Sequence, residues 1–387
     1  MGRIAGSIIV AKRRARHANE GLRMKTGSRL KVVGGRAFRI GTLRRRSGSC
    51  SRLPLLMAAV PMLITAALVA TFARGQSNSG TTRSQGVPPP YWAFAVNPLL
   101  GKSDAPATIE DSAPRHVPGS AIAFTPAQIG NFFSAPDWHS ADHPRMPSVV
   151  AHGRPPVMFA CAHCHLPNGQ GRPENASLAG LPADYIIQQI QEFASGRRGS
   201  SEPRHGPTFM MITVAKEAGP ADVKAAATYF SSLRRRPWIR VVETPLVPTT
   251  RVAGWMLVLA TSGGTEPIRE RIIETPANLD RTELRDDRSG FIAYVPPDSL
   301  ETGALLVNTG ASGKTIPCAT CHGPGLRGLG IVPRLAGRSP SYIVRQLYDI
   351  QHGTRTGPDV ALMQVPVANL TEADMVAIAA YITSLPP

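Results

Sequence analysis

Two short stretches carry the chemistry this chain can do. Cys161-Ala162-His163-Cys164-His165 and Cys318-Ala319-Thr320-Cys321-His322 each read C-x-x-C-H. At that spacing two thiols can bond to the two vinyl groups of one porphyrin, and the adjacent imidazole can ligate its iron. The pattern therefore points to two haem c groups. Cys161, Cys164, Cys318 and Cys321 are the covalent attachment points, and His165 and His322 are axial ligands. A zinc site or a redox dithiol is the alternative for a single copy. Two copies, with no further cysteine near them, weaken it.

The elements that position these residues repeat. At a shift of 157, Cys161, Cys164 and His165 fall on Cys318, Cys321 and His322. Leu178-Ala179-Gly180 falls on Leu335-Ala336-Gly337, Tyr185 on Tyr342, Gln189 on Gln346, Gly196 on Gly353 and Arg198 on Arg355. Beyond that the shift becomes 152, and Met211 falls on Met363 and Tyr229 on Tyr381. A fixed shift with a single deletion marks a duplicated unit.

Each unit reads as helices joined by loops. Tyr185, Ile186, Gln189, Ile190 and Phe193 recur at helical spacing, and Gly196 stops that helix. Tyr342, Ile343, Gln346, Leu347 and Ile350 repeat the pattern, stopped by Gly353. A closing helix runs from Pro220 to Leu233, and its counterpart opens on a capping box, Thr371-x-x-Asp374. No strand pattern falls within either unit.

A six-coordinate electron-transfer haem needs a second axial ligand, usually Met or His. Met211 and Met363 hold equivalent places, 46 and 41 residues after their haem-binding histidines. They are the candidates. Met210 is the neighbour of Met211, but its counterpart is Leu362. His205 and His352 are the other candidates, and His352 matches Ser195 in the first unit. His163, between two attachment cysteines, reads as a surface residue.

These motifs together resemble class I c-type cytochromes, and the tandem is similar to the dihaem cytochromes c of the c4 type. The resemblance rests on C-x-x-C-H, Leu-Ala-Gly, the Tyr/Gln helix ending in Gly-x-Arg, the Met, and the Ala-Ala-Tyr helix (Ala379-Ala380-Tyr381; Ala227-Thr228-Tyr229). It covers roughly residues 150–234 and 303–385. It implies a small helical bundle round each haem and iron held by His165/Met211 and His322/Met363. Leu166 departs from it, standing where Gly323 stands in the second unit.

The charge of the chain is uneven. The formal net charge is +17, but residues 1–52 hold fifteen Lys/Arg and one acid. Residues 53–73 carry no charge, and the remainder is close to balance, which excludes a nucleic-acid binder. A basic stretch before an apolar run of about 20 residues reads as a signal peptide or a membrane anchor. Cys50 precedes that run. The body is then expected on the periplasmic side of a bacterial inner membrane, soluble or anchored by residues 53–73.

The expected organisation is mainly α: a leader over 1–74, a Pro/Ser-rich linker over 75–120, and cytochrome c domains over 121–235 and 303–387. Between them lies a β-rich insert over 236–302. Strand candidates there are Trp238–Val242, Gly254–Leu259, Ile272-Ile273 and Phe291–Val295. The insert reads as a spacer and docking surface, and Glu270, Arg271, Arg285, Asp286, Asp287 and Arg288 as solvated loops. Tyr91-Trp92-Ala93-Phe94 is expected to pack on the first haem domain. Asp137, His139, Asp142 and His143 read as a Pro-rich polar loop before a metal site. Phe159, Phe193, Tyr229 and Tyr381 are candidate haem-pocket walls.

No catalytic constellation is present, so the chain reads as an electron carrier rather than an enzyme. Its partners would be redox proteins: a dehydrogenase, an oxidase or another cytochrome. The alternatives are a cytochrome subunit of a dehydrogenase or oxidase complex, or a dihaem peroxidase-type enzyme that would use His205 or a labile Met211.

Overall fold

A computed structural model describes residues 88–96 and 112–387. The leader, its apolar run, Cys50 and part of the linker lie outside the described residues. Among the described residues no single helix is long and apolar enough to cross a membrane. The architecture is mainly helical, with two cytochrome-like bundles and small β-sheets between them.

The first bundle contains α1 (Pro126–Gly130), α2 (Ser148–Ala151), α3 (Cys161–His165), α4 (Ala183–Ala194), α5 (Gly206–Glu217) and α6 (Pro220–Ser232). Thr125 and Gln128 form a capping box at α1, and Pro126 takes its first turn, where no amide donor is needed. In α4 the buried face is Tyr185, Ile186, Gln189 and Phe193, and Gly196 follows with φ 75°. The core gathers Val149, Val150, Leu181, Tyr185, Ile186, Ala227, Tyr229 and Phe230.

The insert runs β1 (Ile239–Glu243), β2 (Leu246–Pro248), β3 (Thr250–Ala253), β4 (Met256–Leu259), β5 (Thr265–Pro267), β6 (Ile273–Pro276), α7 (Leu279–Glu283) and β7 (Phe291–Val295). Strand β7 lies between β1, which it pairs in parallel with Ile239 opposite Phe291, and β6, which it pairs antiparallel. Two small antiparallel pairs, β2–β5 and β3–β4, complete it. The four expected strand regions are present, and β2, β3 and β5 are additions.

The second bundle has α8 (Ser299–Thr309), α9 (Ala319–His322), α10 (Pro340–Gln351), α11 (Pro358–Val367) and α12 (Glu372–Ser384). The Thr371/Asp374 capping box opens α12 as expected. Helices α8 and α12 cross at Gly303, where an added Cβ would come within 2.1 Å of the Ala377 carbonyl. In the first repeat the corresponding stretch keeps only the single turn of α2, packed against α6.

The insert shares one hydrophobic core with the second bundle: Val247, Ile273, Ala293 and Val295 join Ile343, Met375, Ile378 and Ile382. Trp92, Ala93 and Phe94 are buried in that same core, so the aromatic cluster packs mainly on the second bundle and touches the first through Phe94. Phe94 meets Tyr348 edge-on at 5.9 Å and His205 at 6.0 Å, so it sits at the junction of the bundles.

Leu166 and Gly323 follow the two haem histidines in the same unusual backbone conformation, φ 62°, ψ 154° and φ 75°, ψ 170°. That region costs a non-glycine residue about 1–3 kcal/mol. Leu166 is 2% exposed, and burying its side chain offsets a similar amount, about 2 kcal/mol.

Candidate functional site

Cys161, Cys164, His165 and Met211 line one cavity of about 350 Å³. Helix α3 holds the cysteines and His165 on one turn, and α5 brings Met210 and Met211 to the same space. The apolar walls are Phe159, Leu181, Ile186, Phe193, Val214 and Phe230. Tyr229 is not a wall: its hydroxyl donates to the Pro167 carbonyl at 2.6 Å and lies 3.0 Å from His143 Nδ1. His205, at the start of α5, also faces the cavity.

The two haem histidines are held alike. His165 Nδ1–H donates to the Ala176 carbonyl at 2.8 Å, and His322 Nδ1–H donates to the Pro333 carbonyl at 2.7 Å. A carbonyl can only accept, so the proton is fixed on Nδ1 and Nε2 keeps its lone pair for a metal. Burial lowers the pKa of both imidazoles and favours that neutral form. His322, Cys318 and Met363 lie in the second bundle, where Cys318 and Met363 pack against the same core.

Burial pushes the Cys161 thiol up to about 12 and Cys318 up to about 11. Reactive dithiols need the opposite shift, so the redox-dithiol alternative is not supported. The donor set fits haem: apolar walls, paired thiols and an imidazole with its second nitrogen fixed. When bound, haem c supplies a one-electron iron(III)/iron(II) couple.

The remaining candidates separate. His352 stacks on Tyr348 at 3.9 Å, and its Nδ1 bonds the Tyr348 carbonyl. His163 is fully buried, against the surface expectation, with its ring 4.5 Å from Phe132. Burial lowers its pKa to about 3, so it is neutral. The insert covers it: Arg285 donates to the His163 carbonyl at 2.7 Å. Asp286 and Asp287 are also buried rather than solvated, at 0% and 2% exposure. A charge run reads as surface in sequence because partners about 150 residues away are invisible there.

Between the bundles the repeat becomes a symmetric contact that sequence reading missed. Arg198 donates to Gln189, Tyr342 and Gln346, and Arg355 donates to Gln346, Tyr185 and Gln189. Their backbones pair antiparallel across the contact. Burial opposes ionisation of Tyr342, but Arg198, Arg338 and Arg355 together pull its phenol down to about 7. The matched positions of Tyr185, Gln189 and Arg198 under the repeat shift were the available signal.

The family model described as Cytochrome c matches residues 151–234 and 309–386. The chain is 38% identical over 86 residues to cytochrome c-554(547) of Halothiobacillus neapolitanus, covering 19% of this chain and 94% of that protein. The chain belongs to the cytochrome c family. It is 28% identical over 236 residues to the thiosulfate dehydrogenase electron acceptor of Thiomonas intermedia (strain K12), covering 60% of this chain and 81% of that protein. It is 24% identical over 231 residues to cytochrome c4 of Azotobacter vinelandii, covering 58% and 84%. Within the family it is a tandem dihaem cytochrome of the c4-like kind, an electron carrier with two haem c groups.

Proposed function

We propose that this cytochrome carries electrons one at a time between redox partners on the periplasmic side, through haems ligated by His165/Met211 and His322/Met363. Its electron donor is a dehydrogenase of the thiosulfate-oxidising kind. The likeness to the Thiomonas electron acceptor supports that partner. The observation that carries the two-haem path is the reciprocal contact of Arg198 and Arg355, which fixes the two bundles against each other. Arg198 lines the first haem cavity, and its guanidinium would supply positive charge beside a haem held there.

The two ends are unequal. Ala162 and His163, between the first pair of cysteines, are fully buried, whereas Ala319 and Thr320, between the second pair, are exposed. Haem 2 is therefore the end that exchanges electrons with a partner.

The test is reduction of the purified dihaem protein by thiosulfate with a thiosulfate dehydrogenase, followed by haem absorbance. Both haems are expected to reduce, and only when the dehydrogenase is present. No reduction would overturn the donor assignment, and a haem-to-protein ratio other than two would overturn the two-haem path.

A further inference from the structure

Away from both haems, His139, Asp286 and Asp287 come together from segments nearly 150 residues apart. They are 5%, 0% and 2% exposed, and one donor atom from each lies within 4.8 Å of the others. His139 Nε2 is 3.1 Å from Asp286 Oδ1. Asp286 is otherwise balanced: Arg281 Nε donates to its Oδ2 at 2.7 Å and the Arg288 amide to its Oδ1 at 2.9 Å. Asp287 is not. Both of its carboxylate oxygens are buried with no hydrogen-bond donor.

A buried carboxylate without donors is strongly disfavoured unless it is neutralised or meets a cation. The nearby His143 does not supply the missing partner, because its Nε2 is engaged by Asp137 at 3.1 Å. One imidazole nitrogen and two carboxylates form a donor set for a borderline divalent ion rather than for calcium or magnesium, which take oxygen alone.

We propose that His139, Asp286 and Asp287 bind a divalent cation of the zinc type, tying the insert to the segment ahead of the first haem. Zinc bonds to these donors are about 2.0–2.2 Å long, so tetrahedral ligands stand about 3.4 Å apart. Small side-chain movements within the 4.8 Å cluster reach that spacing. His139 Nε2 exchanges its Asp286 hydrogen bond for the ion. Arg281 and the Arg288 amide keep Asp286 oriented from behind, and water completes the coordination. The loop so fixed reaches the haem-attachment turn: the Asp287 carbonyl accepts from Asn168 at 2.5 Å, and Arg285 donates to the His163 carbonyl.

The experiment uses the haem-loaded protein, stripped with chelator and titrated with zinc salt alone. One zinc per chain is expected by calorimetry and elemental analysis. X-ray absorption at the zinc edge is expected to show nitrogen and oxygen neighbours with one imidazole and no sulfur. Asp287→Asn, which keeps the shape and removes the charge, is expected to weaken binding by more than about tenfold with unchanged haem spectra. His139→Ala is expected to do the same, and Asp287→Asn decides the matter if that variant does not fold. Absence of stoichiometric zinc, sulfur in the shell, tighter binding of calcium than of zinc, or unchanged affinity in Asp287→Asn would each overturn the proposal.

Discussion

Arg198 and Arg355 hold equivalent positions in the two repeats, and each donates to the tyrosine of the other bundle, at 2.9 Å to Tyr342 and 3.2 Å to Tyr185. They are 7% and 8% exposed. Arg198→Ala strips Gln189, Tyr342 and Gln346 of a charged donor inside a dry contact. The expected loss is about 3 kcal/mol in denaturant unfolding of the haem-loaded protein. Arg355→Ala should cost a similar amount. Because the two share Gln189 and Gln346, the double variant should lose less than the sum. Single variants within about 0.5 kcal/mol of the parent would show that the contact does not hold the bundles together.

The two haems should respond differently to loss of their methionines. His205 is buried in the first cavity, with Nδ1 bonded to Thr208 at 2.9 Å and Nε2 unpartnered. At the repeat shift of 152 its counterpart is Gly357, which has no side chain to offer. Met363→Ala is therefore expected to open haem 2 to carbon monoxide. Met211→Ala is expected to recruit His205 and stay closed, and Met211→Ala with His205→Ala to open. Optical spectra of the ferrous protein with carbon monoxide read all three. Equal, rapid binding by both single methionine variants would show that His205 does not serve haem 1.

The part of this site legible in sequence is the part whose chemistry imposes a fixed spacing. Thioether attachment requires Cys161, Cys164 and His165 as a unit, and duplication then singles out Met211 and Met363 as the candidate second ligands. The amphipathic pattern of α4 and its Gly196 stop were equally plain, because one face meets core and the other water. Helices α5 and α11 gave no such signal. Helix α5 turns one side to the first cavity, and the two helices leave Phe209, Leu362 and Val365 exposed, so apolar residues are not confined to one buried face. The parallel pairing of β1 with β7 and the burial of Asp286 and Asp287 were hidden for another reason. Each depends on residues far apart in the chain, and no local pattern encodes the partner.

Glu274 gives the fold a pH dependence separate from the haems. It is 2% exposed on β6, accepts from the Ser339 hydroxyl at 2.7 Å, and leaves Oε1 without a donor. Burial pushes its pKa up to about 7 against hydrogen bonds from Ser339 and Ser341. A carboxyl whose folded pKa lies above its unfolded value binds its proton more tightly when folded. Its contribution is full below about pH 4.5 and is lost as pH rises through about 7. Glu274→Gln keeps an acceptor for Ser339 and removes the titration. At pH 8 it is expected to unfold about 1–3 kcal/mol later than the parent, with the difference vanishing near pH 4. A pH-independent difference would mean that Glu274 does not titrate in this range.

The unequal covering of the two attachment turns should separate the haem potentials. Helix α3 lies beneath the insert, with Ala162 and His163 fully buried and Arg285 bonded to the turn. Ala319 and Thr320 of the second turn are exposed. A ferric haem carries one more positive charge than a ferrous one, so burial favours the reduced state and raises the potential. Arg172 and Arg285, which line the first cavity, act in the same direction. A redox titration is therefore expected to resolve two midpoints, the higher belonging to haem 1. Met363→Ala assigns them, because it should move only the lower one. Replacing Arg285 by Gln should lower the upper midpoint and leave the other in place. A single unresolved midpoint, or a lower potential for haem 1, would mean that the insert does not govern the environment of the haem it covers.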